Sequence, residues 1–230
     1  MTYQAIFFDV DGTLTFSEPA WLQVHAEMDT LDKEKKYYDA FFRGEFDYFT
    51  WAKMDASLWK GQPVIKFEAA FKNIEAGLRP GVKEAFSILK KNNILTYLVS
   101  SGIFHFVKQV STIIDADYAI SNIIEKKDGY LTGKVTVNVS DDKSGVLVNY
   151  AKEHKLDLQK CAAVGDSFND RTMFKAVKTS LVIAPKDEKT KNAASVVCQT
   201  PDDFRKVLML LFDEETVIYQ DLEKSLNKSA

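Results

Sequence analysis

The hydrophobic positions along the chain change rhythm twice. Ala5–Phe8 is a run of four apolar residues that stops at Asp9-Val10-Asp11-Gly12. That is the pattern of a parallel strand buried on both faces and ended by a glycine turn. Residues 15–78 read differently: 13 aromatics fall in 64 positions, charges interleave at helical spacing, and Gly and Pro are few. This texture predicts several helices and no strand. Arg79-Pro80-Gly81 breaks the pattern, and strand and helix then alternate. The periodicity predicts a helix over Val82–Lys91, a strand over Ile94–Val99 and a helix over Phe104–Ile114. A strand follows from Tyr118, then a hairpin through Lys127-Asp128-Gly129. Beyond it come a helix over Gly145–His154, a strand over Cys161–Val164, a helix over Arg171–Val177, a strand over Thr179–Ile183 and a helix over about Asp202–Phe212. Such alternation predicts an α/β fold with a doubly wound, mostly parallel sheet. Residues 1–14 and 79–213 form its core, 15–78 are a helical insertion, and 214–230 are a polar, loosely held helical tail.

Composition removes several function classes. The 230 residues carry 33 acids against 30 Lys and Arg, a net charge of -3. A protein that neutralises nucleic-acid phosphates needs a basic excess that is absent here. No apolar run reaches the roughly 20 residues that span a bilayer. The start, MTYQAIFFDVDG, lacks a basic n-region, so the expected location is the cytoplasm. Cys161 and Cys198 have no partner at metal-ligand spacing and read as buried, reduced thiols. His25, His105 and His154 are isolated along the chain and read as packing or surface residues, and Lys186–Lys191 as a solvated loop or helix face.

Ligands of open α/β sheets bind at the carboxyl ends of the strands. The residues placed there are Asp9 and Asp11; Ser100, Ser101 and Gly102; and Gly165, Asp166, Ser167, Phe168, Asn169 and Asp170. Asp9 and Asp11 point the same way in extended chain, about 7 Å apart, so one carboxylate can attack while the other carries a proton. Gly12 lets the backbone approach a ligand or turn through positive φ. Four carboxylates in one crevice call for a cation, and oxygen donors without His or Cys favour Mg²⁺. Lys143, just before a helix, supplies a cation for phosphate, and Ser100 or its neighbour Ser101 a hydroxyl. The set suits phosphoryl transfer through an aspartyl-phosphate.

FFDVDGT (Phe7–Thr13), LVSSG (Leu98–Gly102), Lys143 and GDSFND (Gly165–Asp170) resemble, in order and spacing, the four motifs of the haloacid dehalogenase (HAD) superfamily. The helical insertion after the first strand and Asp128-Gly129-Tyr130-Leu131-Thr132-Gly133 are similar to its phosphoserine phosphatase branch. The resemblance implies a Rossmann-like core under a helical cap and a phosphatase acting on a small phosphorylated metabolite, as monomer or homodimer. Asp9 would be the nucleophile and Asp11 the acid and base. Asp9, the Asp11 carbonyl and Asp166 would hold Mg²⁺. Ser100 and Lys143 would bind the phosphoryl oxygens, with Gly12, Ser101, Gly102, Asn169 and Asp170 supporting phosphate or metal. Glu18 stands where the branch has a Glu for the substrate amine. Asp55 stands where the branch has an Arg for the substrate carboxylate, a reversal of charge. A phosphotransferase or mutase, and a non-catalytic phosphate-binding module, are the alternatives; all four motif aspartates are present, which weighs against the module.

Overall fold

The computed structural model describes residues 3–228. Seven strands form one sheet in the order β4-β3-β2-β1-β5-β6-β7. Along the chain the elements are β1 (Ala5–Phe8), α1 (Ala20–Glu27), α2 (Leu31–Phe42), α3 (Tyr48–Ser57), α4 (Val64–Ala69), α5 (Val82–Lys91), β2 (Leu95–Ile103), α6 (Phe104–Ile114), β3 (Tyr118–Lys127), β4 (Tyr130–Thr136), α7 (Ser144–Glu153), β5 (Cys161–Gly165), α8 (Arg171–Ala176), β6 (Thr179–Ile183), α9 (Glu188–Ala193), β7 (Val196–Cys198), α10 (Phe204–Met209) and α11 (Val217–Asn227). All neighbours pair in parallel except β3 and β4. The fold is α/β, as the alternation predicts.

β1 lies at the centre of the sheet, and its four side chains are fully buried because both faces are covered. Strand alternation sends Ile6 and Phe8 into one core with Phe86, Leu98, Phe204 and Leu208, and Ala5 and Phe7 into the other with Tyr97, Met173 and Phe174. Phe8 is in register with Leu98 of β2 and Val164 of β5. The residues after these three positions therefore emerge along one sheet edge.

The insertion is joined to the sheet by two paired connectors. Thr15 and Leu78 form an antiparallel bridge, Phe16 N donates to Gly77 O (3.0 Å), and Arg79 N donates to Leu14 O (2.9 Å). The four helices between them are fastened again by the β3–β4 hairpin. Asp128 and Gly129 both take positive φ at its tip, and Val64 N donates to Gly129 O at 2.9 Å.

Three elements depart from the pattern reading. β2 continues through Ser100-Ser101-Gly102 to Ile103 rather than stopping at Val99, because polar groups of β3 take up its backbone. β7 has too few residues to show periodicity. The tail helix α11 is held firmly: Leu222 is fully buried and Arg205 of α10 donates to Ser225 O (2.8 Å). Cys161 and Cys198 are free thiols, Cys161 buried and Cys198 half-buried. No helix among the described residues is long and apolar enough to cross a membrane.

Candidate active site

The ends of β1, β2 and β5 gather the acids and hydroxyls read from the sequence. Lys143, fully buried at the start of α7, is the hub: its Nζ donates to Asp9 Oδ1 (2.5 Å) and Asp170 Oδ1 (2.7 Å). A lysine ammonium has three donors, so one remains for a ligand oxygen. Burial opposes the ammonium charge, but Asp170 and Asp9 outweigh it and the Lys143 pKa is raised. Asp170 does not cap α8. Its Oδ2 instead accepts from the N–H groups of Asp166 (2.9 Å) and Ser167 (3.0 Å), fixing the turn that presents Asp166.

Asp9, Asp166 and Asp170 each bring a carboxylate oxygen within 4.8 Å of the others. Three acids share one lysine in a desolvated crevice, and the strain is electrostatic. Burial raises the pKa of Asp9 well above the usual range, with Lys143 opposing and Asp170 and Asp166 reinforcing. Burial, then Asp170, lifts Asp166 to about 7. Such a set fits a hard divalent cation: the donors are all oxygen, two of the three acids resist ionising alone, and Asp170 is already saturated by Lys143 and two N–H groups.

Asp11 stands apart from this cluster. Its Oδ1 accepts from Ala20 N (2.8 Å) at the start of α1, and its Oδ2 lies 3.5 Å from Ser100 Oγ. Desolvation lifts its pKa to about 6 against the pull of the Ala20 N–H. A Cβ on Gly102 would sit 2.6 Å from Asp11 Oδ2, and one on Gly12 would sit 2.4 Å from Asp166 Oδ2. Both glycines are there for close approach, and Gly12 also takes φ +81°. Ser100 Oγ accepts from Gly102 N and faces Asp11, whereas Ser101 Oγ donates to Ser140 O (2.7 Å) and accepts from Asn169 Nδ2 (3.3 Å).

Several supporting residues escape a reading of the sequence. Thr13 Oγ1 lies 3.1 Å from Asp9 Oδ2 and 3.4 Å from Asp166 Oδ1. Arg79 donates to the carbonyls of Gly12 (2.7 Å) and Thr13 (2.9 Å), clamping the turn after β1. The Ser101 carbonyl accepts from Trp21 Nε1 (3.1 Å), Tyr48 Oη (2.7 Å) and Asn122 Nδ2 (2.8 Å), which ties α1 and α3 of the insertion to β2 and β3. Only Thr13, inside the first motif, carried a signal. Glu18 is exposed at the insertion's entrance. Asp55 is buried in α3, with its Oδ1 3.6 Å from Nε2 of His25. His25 is thus no isolated residue: it is fully buried, and its Nδ1 pairs with Thr30 Oγ1 at 2.8 Å. His105 packs against Phe67 and Phe71.

A family model for haloacid dehalogenase-like hydrolases matches residues 3–178, from before β1 to just past α8. The chain belongs to that family. Within this HAD family it sits in the phosphoserine phosphatase-like branch. It is 30% identical over 205 residues to a phosphoserine phosphatase of Methanocaldococcus jannaschii, covering 88% of this chain and 95% of that protein. Two solved structures superpose on it over 90% of its length and 98% of theirs. One, a substrate-bound phosphoserine phosphatase complex, has a TM-score of 0.78 at 26% identity. The other, a phospho-aspartyl intermediate analogue of phosphoserine phosphatase, has a TM-score of 0.77 at 27% identity. The chain is an enzyme of the hydrolase class.

Proposed function

We propose that the protein hydrolyses a small phosphomonoester through an aspartyl-phosphate on Asp9, with Mg²⁺ as cofactor and residues 15–78 as a cap that selects the leaving group. The observation that carries this reading is the division of labour after β1. Asp9 is tethered to a buried ammonium, whereas Asp11, two residues on, is turned away from it and has a pKa raised into the range of a general acid.

In the first step a carboxylate oxygen of Asp9 bonds to phosphorus, the ester P–O bond breaks, and its electron pair leaves with the alcohol oxygen, which takes the proton of Asp11. In the second, water attacks phosphorus and gives its proton to the Asp11 carboxylate. The Asp9–phosphorus bond breaks and inorganic phosphate leaves. Lys143 holds Asp9 in line and offers its third N–H to a phosphoryl oxygen, and the Ser100 hydroxyl offers another. Asp9, Asp166 and the Asp11 carbonyl would hold the Mg²⁺, which when bound neutralises charge on the phosphoryl group. The phospho-aspartyl analogue among the structural neighbours supports the covalent route. The deciding experiment is a phosphomonoester panel assayed with Mg²⁺ and with EDTA. Phosphate release that needs Mg²⁺ is expected; release undiminished by EDTA would remove the metal from the reading, and none at all would remove the activity. Transfer to added acceptor alcohols instead of water would favour a phosphotransferase.

Lys143→Met tests the hub. It leaves Asp9 and Asp170 buried without their cation, a change that costs roughly 3–5 kcal/mol for a broken buried pair. Denaturant titration in EDTA measures this. A loss of kcat of roughly 10²–10³-fold should accompany it, the scale of one lost oxyanion donor. Lys143→Arg should not restore the rate, because a planar fork cannot replace a point charge in this packing.

A further inference from the structure

The insertion contains a small cavity that the mechanism above does not use. Its volume is about 170 Å³, close to the roughly 150 Å³ that accepts a benzene-sized group elsewhere. Trp21, Tyr38, Tyr48 and Trp51 line it, together with two acids, Glu34 and Asp55. Both acids are more than nine-tenths buried. Asp55 Oδ1 and His25 Nε2 face one another at 3.6 Å, just outside bonding range, and neither has another hydrogen-bond partner among the described residues; Trp51 Nε1 has none either. Unsatisfied buried polar groups are rare enough in native proteins to need an explanation. Burial raises the pKa of Asp55, opposed by His25, and burial followed by Asp55 raises that of Glu34. One cavity wall thus holds two buried acids beside four aromatic side chains.

The cavity abuts the site. Trp21 and Tyr48 in its wall donate to the Ser101 carbonyl, and Pro19 in its wall precedes Ala20, whose N–H holds Asp11. A lining of aromatic rings and buried acids is complementary to a weakly hydrated organic cation. We infer that this cavity receives an alkylated ammonium head group, so that the substrate is the phosphate ester of an amino alcohol of the choline type rather than one bearing a carboxylate. This rests on the phosphatase reading. The phosphate lies over Asp9 and Asp11 while the cationic end enters between α1, α2 and α3. A substrate carboxylate would meet Asp55 and Glu34 instead of a partner.

The test compares phosphocholine with its uncharged isostere 3,3-dimethylbutyl phosphate, with phosphoserine, and with p-nitrophenyl phosphate as a reference for the chemistry. Phosphocholine should exceed the isostere in kcat/KM by roughly tenfold or more, chiefly through KM, as a desolvated cation–π site allows. Asp55→Asn should collapse that ratio without lowering Tm at pH 8, because it removes a strained charge. Trp51→Leu should also lower the ratio, and should abolish saturable quenching of tryptophan fluorescence by tetramethylammonium. Equal rates on phosphocholine and its isostere would mean an apolar void only and would overturn the inference. So would a preference for phosphoserine, or a fall in Tm on Asp55→Asn with the ratio unchanged, which would make Asp55–His25 a structural pair. Hydrolysis of p-nitrophenyl phosphate without any ammonium ester refutes the head-group site alone. Hydrolysis of none refutes the phosphatase reading, and the fluorescence titration then decides the site by itself.

Discussion

Asp9→Asn is expected to abolish turnover, by roughly 10⁴-fold or more, as removal of a catalytic nucleophile does. The amide keeps the shape of the carboxylate, so packing at the end of β1 is preserved. It lacks the negative oxygen that bonds to phosphorus in the proposed mechanism. The folded protein should not suffer. Asp9 faces Asp166 and Asp170 across a single lysine, and burial already raises its pKa. Taking one charge from that crowd lowers repulsion, and Tm in EDTA should stay level or rise. Mg²⁺ separates the two effects. A site that binds only the folded state adds about 2.7 kcal/mol at 100 times Kd, so wild type should gain Tm with Mg²⁺ and the variant much less. Acid-quenched wild type should carry phosphate from labelled substrate, and the variant none. Turnover that survives in a correctly folded Asp9→Asn protein would assign the nucleophile elsewhere.

What the sequence made legible was local. Ala5–Phe8 followed by Asp9 and Asp11 declares a buried strand and two acids pointing from its end, because strand geometry fixes residues two apart. GDSFND likewise places Asp166 and Asp170 around one turn, although only the structure shows that Asp170 grips the N–H groups of Asp166 and Ser167. Contacts between distant residues were not legible. Lys143 meets Asp9 across 134 positions, and no local pattern specifies that pairing; the family motif supplied it. Trp21, Tyr48 and Asn122 converge on one carbonyl of Ser101, a target that is silent in any sequence. Ser100-Ser101-Gly102 look like the residues after a strand. They stay extended because Ser121 Oγ and Asn122 Nδ2, buried in β3, donate to the carbonyls of Gly102 and Ser101. His25 reads as isolated because its neighbour Asp55, 3.6 Å away, lies two helices further along the chain, where no local pattern joins them.

Asp11→Asn is expected to show a loss that depends on the leaving group. Asp11 Oδ1 is occupied by the Ala20 N–H, so the transferable proton belongs on Oδ2, which faces Ser100 and the space left by the missing Cβ of Gly102. In the proposed mechanism that oxygen protonates the departing alkoxide. An alkyl phosphate cannot expel its alcohol without a proton, and kcat/KM should fall by roughly 10²–10⁴-fold, the usual contribution of a general acid. Nitrophenolate leaves unprotonated, so phosphorylation of Asp9 by p-nitrophenyl phosphate should be slowed far less. Hydrolysis of the resulting aspartyl-phosphate still needs a base for water, and Asn supplies none. Rapid mixing should then show a burst of nitrophenolate equal to the enzyme, followed by slow turnover, with alkyl substrates giving no burst. The same loss on both substrate types would place Asp11 outside the proton transfers and leave it as a support for Ala20. The contrast between leaving groups is therefore the sharper test, because a residue that only shaped the site would slow both alike.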